Sequence, residues 1–231
     1  MRTIAEDLLL FALDDEKGTT LWSGAGALPY GLAGALLAEL ALRGKVTLGD
    51  KQAVAVLDET PTGVDVLDDA LRLIAASKKP RDAKHWVTTF TTKVKRLRDR
   101  LEDRLVAEGI LRKDQHRVLF LFPFERLPTD DPSVERGLRD EVRAVLLEQA
   151  SPDVRIAVLI SLLKSCNLLD GLFAMAERSV VRDRATAVIE RVPEGAAAGG
   201  AATAAADAAA ATMAAIAATT AATAVTVSAA T

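Results

Sequence analysis

The stretch LPYGLAGALLAELALRG, residues 28–44, decides the fold class of this 231-residue chain. Leucine recurs in it at three- and four-residue spacing, as on one side of an α-helix, and Gly44 is a typical helix end. Because alanine or leucine occupies nearly every other face as well, the pattern predicts a helix that is buried on all sides. We therefore expect a compact, mainly α-helical domain built around this central helix.

The flanking sequence predicts further helices and two small β-hairpins. Thr3 and Glu6 have the spacing of a capping box, so a short helix should begin there and end near Leu13. Further helical patterns cover residues 64–76, a stretch from 82 onward that carries Trp86, and residues 92–108, 134–149, 153–165 and 168–189. The hairpins are predicted over residues 46–57 and over residues 110–122, the second with a polar tip at 113–116.

A change in composition divides the chain into a domain and a tail. The domain is predicted to occupy residues 1–192, and residues 193–231 form an alanine- and threonine-rich tail that we expect to be partly helical or disordered. From Ala208 to Ala230 the tail has no charge, which is long enough for a bilayer span. Its strongly apolar residues are few, however, and insertion depends on them, so a surface or docking helix is favoured.

The composition excludes several kinds of chemistry. The formal net charge is −3, so any attraction to phosphate must come from a local basic patch. One cysteine, Cys166, and two histidines exclude a disulfide framework and the usual zinc sites. Acidic residues near the N-terminus argue against a signal peptide, so we expect a cytoplasmic protein. Abundant alanine and an excess of arginine over lysine suggest a GC-rich bacterial genome.

No catalytic motif is recognisable in the sequence. A phosphate-binding loop, a dinucleotide fingerprint, a nucleophile elbow and a zinc-protease motif are all missing. Cys166 lies in an apolar run with no histidine nearby, and His85 beside Trp86 is typical of a packing or surface residue. We therefore expect no enzymatic activity, no cofactor and no metal.

The predicted helix over residues 92–108 is basic and amphipathic. Its apolar stripe is Val94, Leu97, Leu101 and Leu105, and its cations are Lys93, Lys95, Arg96, Arg98, Arg100 and Arg104. Lys95 and Arg98 lie three residues apart, on one predicted face, where two cations are placed to hold a single phosphate. The alternative interpretation is a solvated face whose arginines pair with neighbouring acids, as Arg98 would with Glu102.

Two aromatic features are candidates for membrane or ligand contact. Trp22 borders a glycine-rich stretch, which suits close approach of a ligand, a membrane interface, or simply one end of the core. Phe120, Phe122 and Phe124 alternate along a predicted strand and so share one side of it. These phenylalanines fit either a buried hairpin or an apolar tip that enters a membrane or a partner subunit, with Phe124 the best candidate for exposure.

The order helix, glycine, strand, turn, strand over residues 105–122 is also that of a winged-helix DNA-binding domain. The basic helix would then be the recognition helix. The acidic net charge and the apolar second strand argue against this alternative, and we expect no nucleic-acid partner. A protein-interaction module without a lipid role is a further alternative.

Several blocks resemble the Golgi phosphoprotein 3 family, and they occur in that family's order. They are TIAEDLLLFALDDEKG (3–18), Trp22, GLAGALLAELALRGKV (31–46), PTGVDVLDDAL (61–71), VKRLRDRLEDRLVAEGIL (94–111) and RVLFLF (117–122). The resemblance covers about residues 3–190. It implies a mostly helical domain that associates peripherally with membranes, binds phosphatidylinositol-4-phosphate and the cytosolic tails of glycosyltransferases, and self-associates weakly through the hairpin.

The resemblance also implies a headgroup site. It carries the family's tryptophan onto Trp22 and its basic pair onto Lys95 and Arg98, with lysine in place of an arginine. The family's arginine on the central helix falls at Ala33, so that contact is missing. A lost charged contact costs about 1.5–3 kcal/mol, and lysine lacks the guanidinium fork. We therefore expect a membrane adaptor that binds an anionic phospholipid headgroup similar to, but less selectively than, phosphatidylinositol-4-phosphate.

Overall fold

The computed structural model describes residues 2–13, 26–49, 53–112, 114–118, 122–126, 129–195, 208–212 and 215. Its helices are α1 (Ile4–Ala12), α2 (Leu28–Leu42), α3 (Asp65–Ala75), α4 (Ala83–Lys93), α5 (Leu97–Ala107), α6 (Pro132–Leu147), α7 (Val154–Ser165), α8 (Leu169–Leu172) and α9 (Arg178–Gly195). Its strands are β1 (Val46–Leu48), β2 (Ala53–Val56), β3 (Arg81–Asp82), β4 (Asp114–Val118) and β5 (Phe122–Arg126). The predicted mainly α-helical fold with small β-hairpins is confirmed.

Helix α2 is the buried centre of this fold, as its sequence predicts. The helices α1, α3, α4, α5 and α7 all pack against it. Most of its residues are buried, and its apolar residues surround the axis with no preferred side. It ends before Gly44, whose φ of +67° is the left-handed conformation that glycine adopts most readily.

Helix α1 begins at the predicted capping box. The Thr3 side chain accepts a hydrogen bond from the Glu6 N–H (3.2 Å), and the Glu6 carboxylate accepts one from the Thr3 N–H (2.6 Å). These bonds satisfy N–H groups that a helix start otherwise leaves unpaired. The whole of α1 is buried, so the cap fixes the first layer over α2.

Two glycines of α2 allow other segments to approach its backbone closely. A Cβ atom at Gly31 would overlap the Cys166 sulfur at the end of α7, and one at Gly34 would overlap the Thr212 side chain. Residues 208–212 are helical and mostly buried, so this part of the alanine-rich tail lies directly on the central helix. The predicted division of the chain after residue 192 stays a prediction; α9 itself continues to Gly195.

The first hairpin is confirmed, and the second differs from the prediction. Strands β1 and β2 pair antiparallel with Val46 opposite Val56, and β3 adds a short third strand. In the second hairpin β4 pairs with β5, and Asp114 lies opposite Arg126. The predicted polar tip at 113–116 is therefore wrong, because residues 114–116 belong to a strand. Residues 113–116 contain no glycine, proline or asparagine, the residues that favour a turn most strongly. Their polar character alone was therefore not sufficient evidence for a turn.

The two helices predicted from residue 82 onward and over residues 92–108 are present as α4 and α5, but the second begins only at Leu97, after a bend at residues 94–96. Arg96 has a left-handed φ of +52° at the bend, and the Arg100 guanidinium donates to the Lys95 carbonyl (3.4 Å). Helix α4 packs on α2, whereas α5 packs mainly on α1. One straight helix cannot follow both surfaces, so tertiary packing imposes a break where the sequence has neither glycine nor proline. The predicted apolar stripe is nevertheless buried on both sides of the bend.

The helix predicted over residues 168–189 is likewise divided, into α8 and α9. Phe173 is extended and ends α8. The Glu177 carboxylate accepts a hydrogen bond from the Ala174 N–H (3.2 Å) and pairs with Arg143 of α6 (2.9 Å). The ion pair between Arg143 of α6 and Glu177 therefore stabilises the segment that separates α8 from α9.

Arg155 of α7 joins three helices at the far end of α2. Its guanidinium pairs with Asp7 of α1 (2.7 Å) and with Glu39 of α2 (3.0 Å), and Glu39 also accepts from Arg43 (2.8 Å) and from the Ile4 N–H (2.9 Å). Burial by itself lowers the pKa of Arg155, but the charges of Asp7 and Glu39 outweigh it and raise that pKa above the ordinary arginine value. Arg155 therefore stays charged in this network.

Removing the central carboxylate of this network should destabilise the fold. In Glu39→Gln the Arg155 and Arg43 guanidinium groups lose their shared counter-charge, and the free energy of unfolding should fall by about 1.5–3 kcal/mol. Urea denaturation measures the change. The matched control is Asp170→Asn, which breaks the exposed Asp170–Arg182 pair and should change little. Equal effects of the two variants would contradict the importance assigned to the buried network.

The space around Gly34 and around Gly137 predicts opposite effects on stability when each is replaced by alanine. Gly34→Ala should cost about 1–3 kcal/mol through overpacking and should speed hydrogen exchange at residues 208–212. Gly137→Ala, on an exposed helix face with open space for a Cβ atom, should stabilise by about 0.5–1 kcal/mol. Hydrogen exchange with mass spectrometry tests both variants. Unchanged exchange at 208–212 in Gly34→Ala would contradict the packing.

Candidate functional site

A cleft of about 550 Å³ lies between the start of α2 and the bend that joins α4 to α5. Leu28, Pro29 and Leu32 of α2 give it an apolar wall, and residues 94–99 form the basic side. The predicted pair, Lys95 and Arg98, both line this cleft. We call it the basic cleft.

Lys95 and Arg98 come together by a different geometry from the one predicted. They do not share one face of a continuous helix, because Lys95 lies in the bend and Arg98 in the first turn of α5. Among the residues that the structure describes, none pairs with the exposed Lys95 ammonium. Arg98 donates to Glu102 at 2.6 Å, so the neighbour pairing considered from sequence is present, and an anion must share Arg98 with this carboxylate.

Arg96 is a third cation of the basic cleft, which the sequence did not single out as a site residue. Its side chain is 71% exposed and pairs with Asp99 at 3.0 Å, a contact of small energy in water. Its left-handed backbone costs of order 1–3 kcal/mol, and such strain is frequent at binding sites. No local sequence signal marks the bend, because tertiary packing imposes it, and Arg96 reaches the cleft only through that bend.

Two helix N-termini without side-chain caps border the basic cleft. They belong to α2, which begins after Ala27, and to α5, which begins after Arg96. The first turn of α2 also has no acidic residue, whereas α1 and α7 are capped by Thr3 and Asp153. Uncapped N-termini present free N–H groups and a positive partial charge, which favour an anion. The backbone therefore adds to the attraction of the three cations.

The other two residues in the implied headgroup site do not add a described contact. Trp22 lies outside the described residues, in the segment that leads into α2 at Ala27. Ala33, at the position of the family's arginine, is fully buried and does not line the basic cleft. Position 33 therefore contributes no charged group to the basic cleft.

Two cations of α5 have structural partners away from the basic cleft. Arg100 donates to Asp65 (2.8 Å) and Asp69 (2.6 Å) of α3, and Arg104 donates to the buried Glu6 of α1 (2.6 Å). Burial alone lowers the pKa of Arg100, but these hydrogen bonds raise it above the ordinary arginine value. Arg100 and Arg104 thus join α5 to its neighbours.

Two of the three predicted phenylalanines, Phe122 and Phe124, lie in β5 of the second hairpin. Phe120 lies outside the described residues, and for the other two only the backbone pairing is described. Phe122 lies opposite Val118 and Phe124 opposite His116 in β5, so the two share one side of that strand. A membrane or self-association role for this hairpin stays a prediction.

Cys166 and the described acids form no reactive arrangement. The Cys166 thiol is buried and weakly contacts the Ala27 carbonyl (3.8 Å), and burial raises its pKa to about 12. Within the described residues, no group of three or more His, Cys, Asp or Glu side chains is placed to hold a metal ion. Over the same residues, no helix is both long and apolar enough to cross a membrane.

The chain is thus a mainly helical protein in which the start of a buried central helix lies beside a cluster of cations. The sequence model of the Golgi phosphoprotein 3 (GPP34) family matches residues 4–224, and the chain belongs to this family. The predicted family resemblance is confirmed.

Two relatives carry the name vacuolar protein sorting-associated protein 74. The one from Eremothecium gossypii is 28% identical over 165 residues, which are 63% of this chain and 49% of that protein. The one from Schizosaccharomyces pombe is 30% identical over 166 residues, 62% of this chain and 48% of that protein. The chain thus spans about half the length of these relatives. Both are eukaryotic, so they give no support to the predicted bacterial origin.

The burial of Cys166 predicts an inert thiol. At pH 8, well below a pKa of about 12, the group is protonated as well as covered, and a thiolate is the reactive form. Iodoacetamide should therefore leave Cys166 unmodified in the folded protein and alkylate it completely in denaturant, as mass spectrometry would show. Rapid alkylation of the folded protein would contradict the packing of α7 against the start of α2.

Proposed function

We propose that this chain is a peripheral membrane adaptor that binds an anionic phospholipid headgroup in the basic cleft. The observation that carries the proposal is the convergence of Lys95, Arg96 and Arg98 with the uncapped N-termini of α2 and α5. The headgroup is of the phosphatidylinositol-4-phosphate kind, in keeping with the family. Protein tails of membrane proteins are the second partner of the adaptor.

The three cations have different roles in this proposal. Lys95 offers an ammonium that no described residue occupies and so supplies the freest charge. Arg98 is oriented by Glu102, which limits the guanidinium edge that it can turn to a phosphate. Arg96 lies in the bend and adds positive potential at the rim of the cleft. The positive ends of the two helices add to the anion site, mainly that of α2, because the first turn of α5 contains Asp99.

The ligand is an anionic lipid in a broader sense than one phosphoinositide. Ala33 contributes no charge, and Lys95 cannot form the bidentate contact of an arginine. Both differences weaken the recognition of a particular phosphate position more than they weaken the general attraction to negative charge. We therefore propose binding to phosphatidylinositol-4-phosphate together with measurable binding to other anionic lipids.

The paired arginines of α5 favour a lipid over a nucleic acid. A winged-helix recognition helix presents its basic residues to the major groove, yet Arg100 and Arg104 are used in pairs with α3 and α1. Lys95, Arg96 and Arg98 instead line one cleft, which fits a headgroup better than a duplex backbone.

The same proposal places the protein at the cytoplasmic face of a membrane without enzymatic activity. The family takes its name from a Golgi phosphoprotein and the relatives are named for vacuolar protein sorting, so a role in membrane traffic is the natural setting. The hairpin β4–β5, with Phe122 and Phe124, is the proposed point of membrane contact or of weak self-association.

Liposome flotation with a charge-matched pair of variants tests the proposal. The double variant Lys95→Ala, Arg98→Ala should lose about tenfold or more of its binding to vesicles with 5% phosphatidylinositol-4-phosphate, because two charge-assisted contacts disappear. Binding of the unaltered protein should also fall as salt rises, since the cleft is open to solvent.

The control is the double variant Arg81→Ala, Lys84→Ala, which removes the same charge from the opposite end of α4. It should bind almost as well as the unaltered protein. The proposal fails if both double variants lose binding equally, or if neutral and anionic vesicles recover the unaltered protein to the same extent.

A further inference from the structure

A second cleft, of about 430 Å³, lies between α9 and the loop that connects α6 to α7. Its floor is largely apolar, with Val154 and Ala157 of α7 facing Ala187 and Val188 of α9. This volume lies within the range of roughly 300–1,000 Å³ that is usual for small-molecule pockets, which are mostly apolar with a few polar groups. We call it the α9 cleft.

Two arginines stand at the two ends of the α9 side of this cleft. Arg184 and Arg191 are seven residues apart and thus on one face of α9, with Ala187 and Val188 between them. The Cα atoms of the two arginines are therefore about 10 Å apart along the helix axis, a span that two long arginine side chains can close around one anion. An apolar strip with a cation at each end is suited to a molecule that has an aliphatic part and an anionic part.

Neither arginine has a partner among the residues that the structure describes. The Nε–H of Arg184 is buried and donates to no described residue, which is uncommon and unfavourable for a buried donor. The carboxylate that lines the cleft is that of Asp153, and it caps α7 by accepting from the Ile156 N–H (2.7 Å). The buried Arg184 donor thus lacks the acceptor that a bound anion would supply.

The α9 cleft is separate from the basic cleft. The C-terminal end of α7 lies at the start of α2, where Cys166 contacts Ala27. The α9 cleft borders the other end of α7, at Val154, and α7 has 12 residues, or about 18 Å of helix. A ligand in the α9 cleft would therefore not compete with one in the basic cleft.

We propose that the α9 cleft is a binding site for a small aliphatic carboxylate, with the chain on the apolar floor and the carboxylate on Arg184 and Arg191. The carboxylate accepts from the buried Arg184 Nε–H, which gives that donor its partner, and Arg191 supplies the second charge at the open end. Guanidinium groups bind carboxylates by paired hydrogen bonds. The assignment is independent of the lipid headgroup site and stands or falls separately from it.

Octanoate is the probe, used with the full chain and kept below its micelle concentration. Isothermal titration calorimetry should give saturable binding at one site. Octanol and octylammonium have the same aliphatic chain without the negative charge, and we expect them to bind at least about tenfold more weakly. Arg184→Gln and Arg191→Gln should each weaken octanoate binding to a similar degree.

Arg182→Gln is the matched control, because Arg182 lies on α9 but outside the cleft and pairs with Asp170. It should leave octanoate affinity unchanged. Arg191 is exposed, so Arg191→Gln keeps the test valid even if Arg184→Gln unfolds, and thermal unfolding checks each variant. The assignment is overturned if octanoate shows no saturable binding, if octanol binds equally well, or if Arg182→Gln weakens binding as much as Arg191→Gln.

Discussion

The burial of α2 on every side is the constraint on which the rest of the structure depends. A helix of leucine, alanine and glycine has no face to offer to water, so its neighbours must enclose it. Gly31 and Gly34 let α7 and residues 208–212 come closer than any larger residue would permit. These contacts fix the direction of α2. Its uncapped start then lies beside the bend between α4 and α5, where the basic cleft is formed.

The two ends of α2 differ in how they treat charge. At the C-terminal end the buried carboxylates of Glu39 and Asp7 both form ion pairs with Arg155. The charges at this end therefore neutralise one another inside the fold. At the N-terminal end the first turn has no acid, and Lys95 and Arg96 are exposed beside it. This difference explains how a chain with a net charge of −3 still exposes several cations beside the start of α2.

Much of the architecture could be predicted from periodicity and capping alone. The central helix, the capping box at Thr3 and the first hairpin follow from strong local patterns, and the structure confirms them. The bend at Arg96 and the division of the last predicted helix could not be predicted, because contacts between distant segments impose them. The predicted pair of Lys95 and Arg98 does meet at one cleft, although a continuous helix was the wrong reason to expect it. The third cation, Arg96, depends on the bend and was therefore missed as a site residue.

The central claim is that the start of α2 and the α4–α5 bend together hold an anionic headgroup. A nuclear magnetic resonance titration with water-soluble dibutanoyl phosphatidylinositol-4-phosphate tests it most directly, because amide shifts report where the ligand sits. We predict saturable shifts that are largest at the amides of Leu28, Tyr30 and Gly31 and at those of residues 95–99. Saturable shifts centred on the arginines at the other end of α2, or no saturable shifts at all, would contradict it.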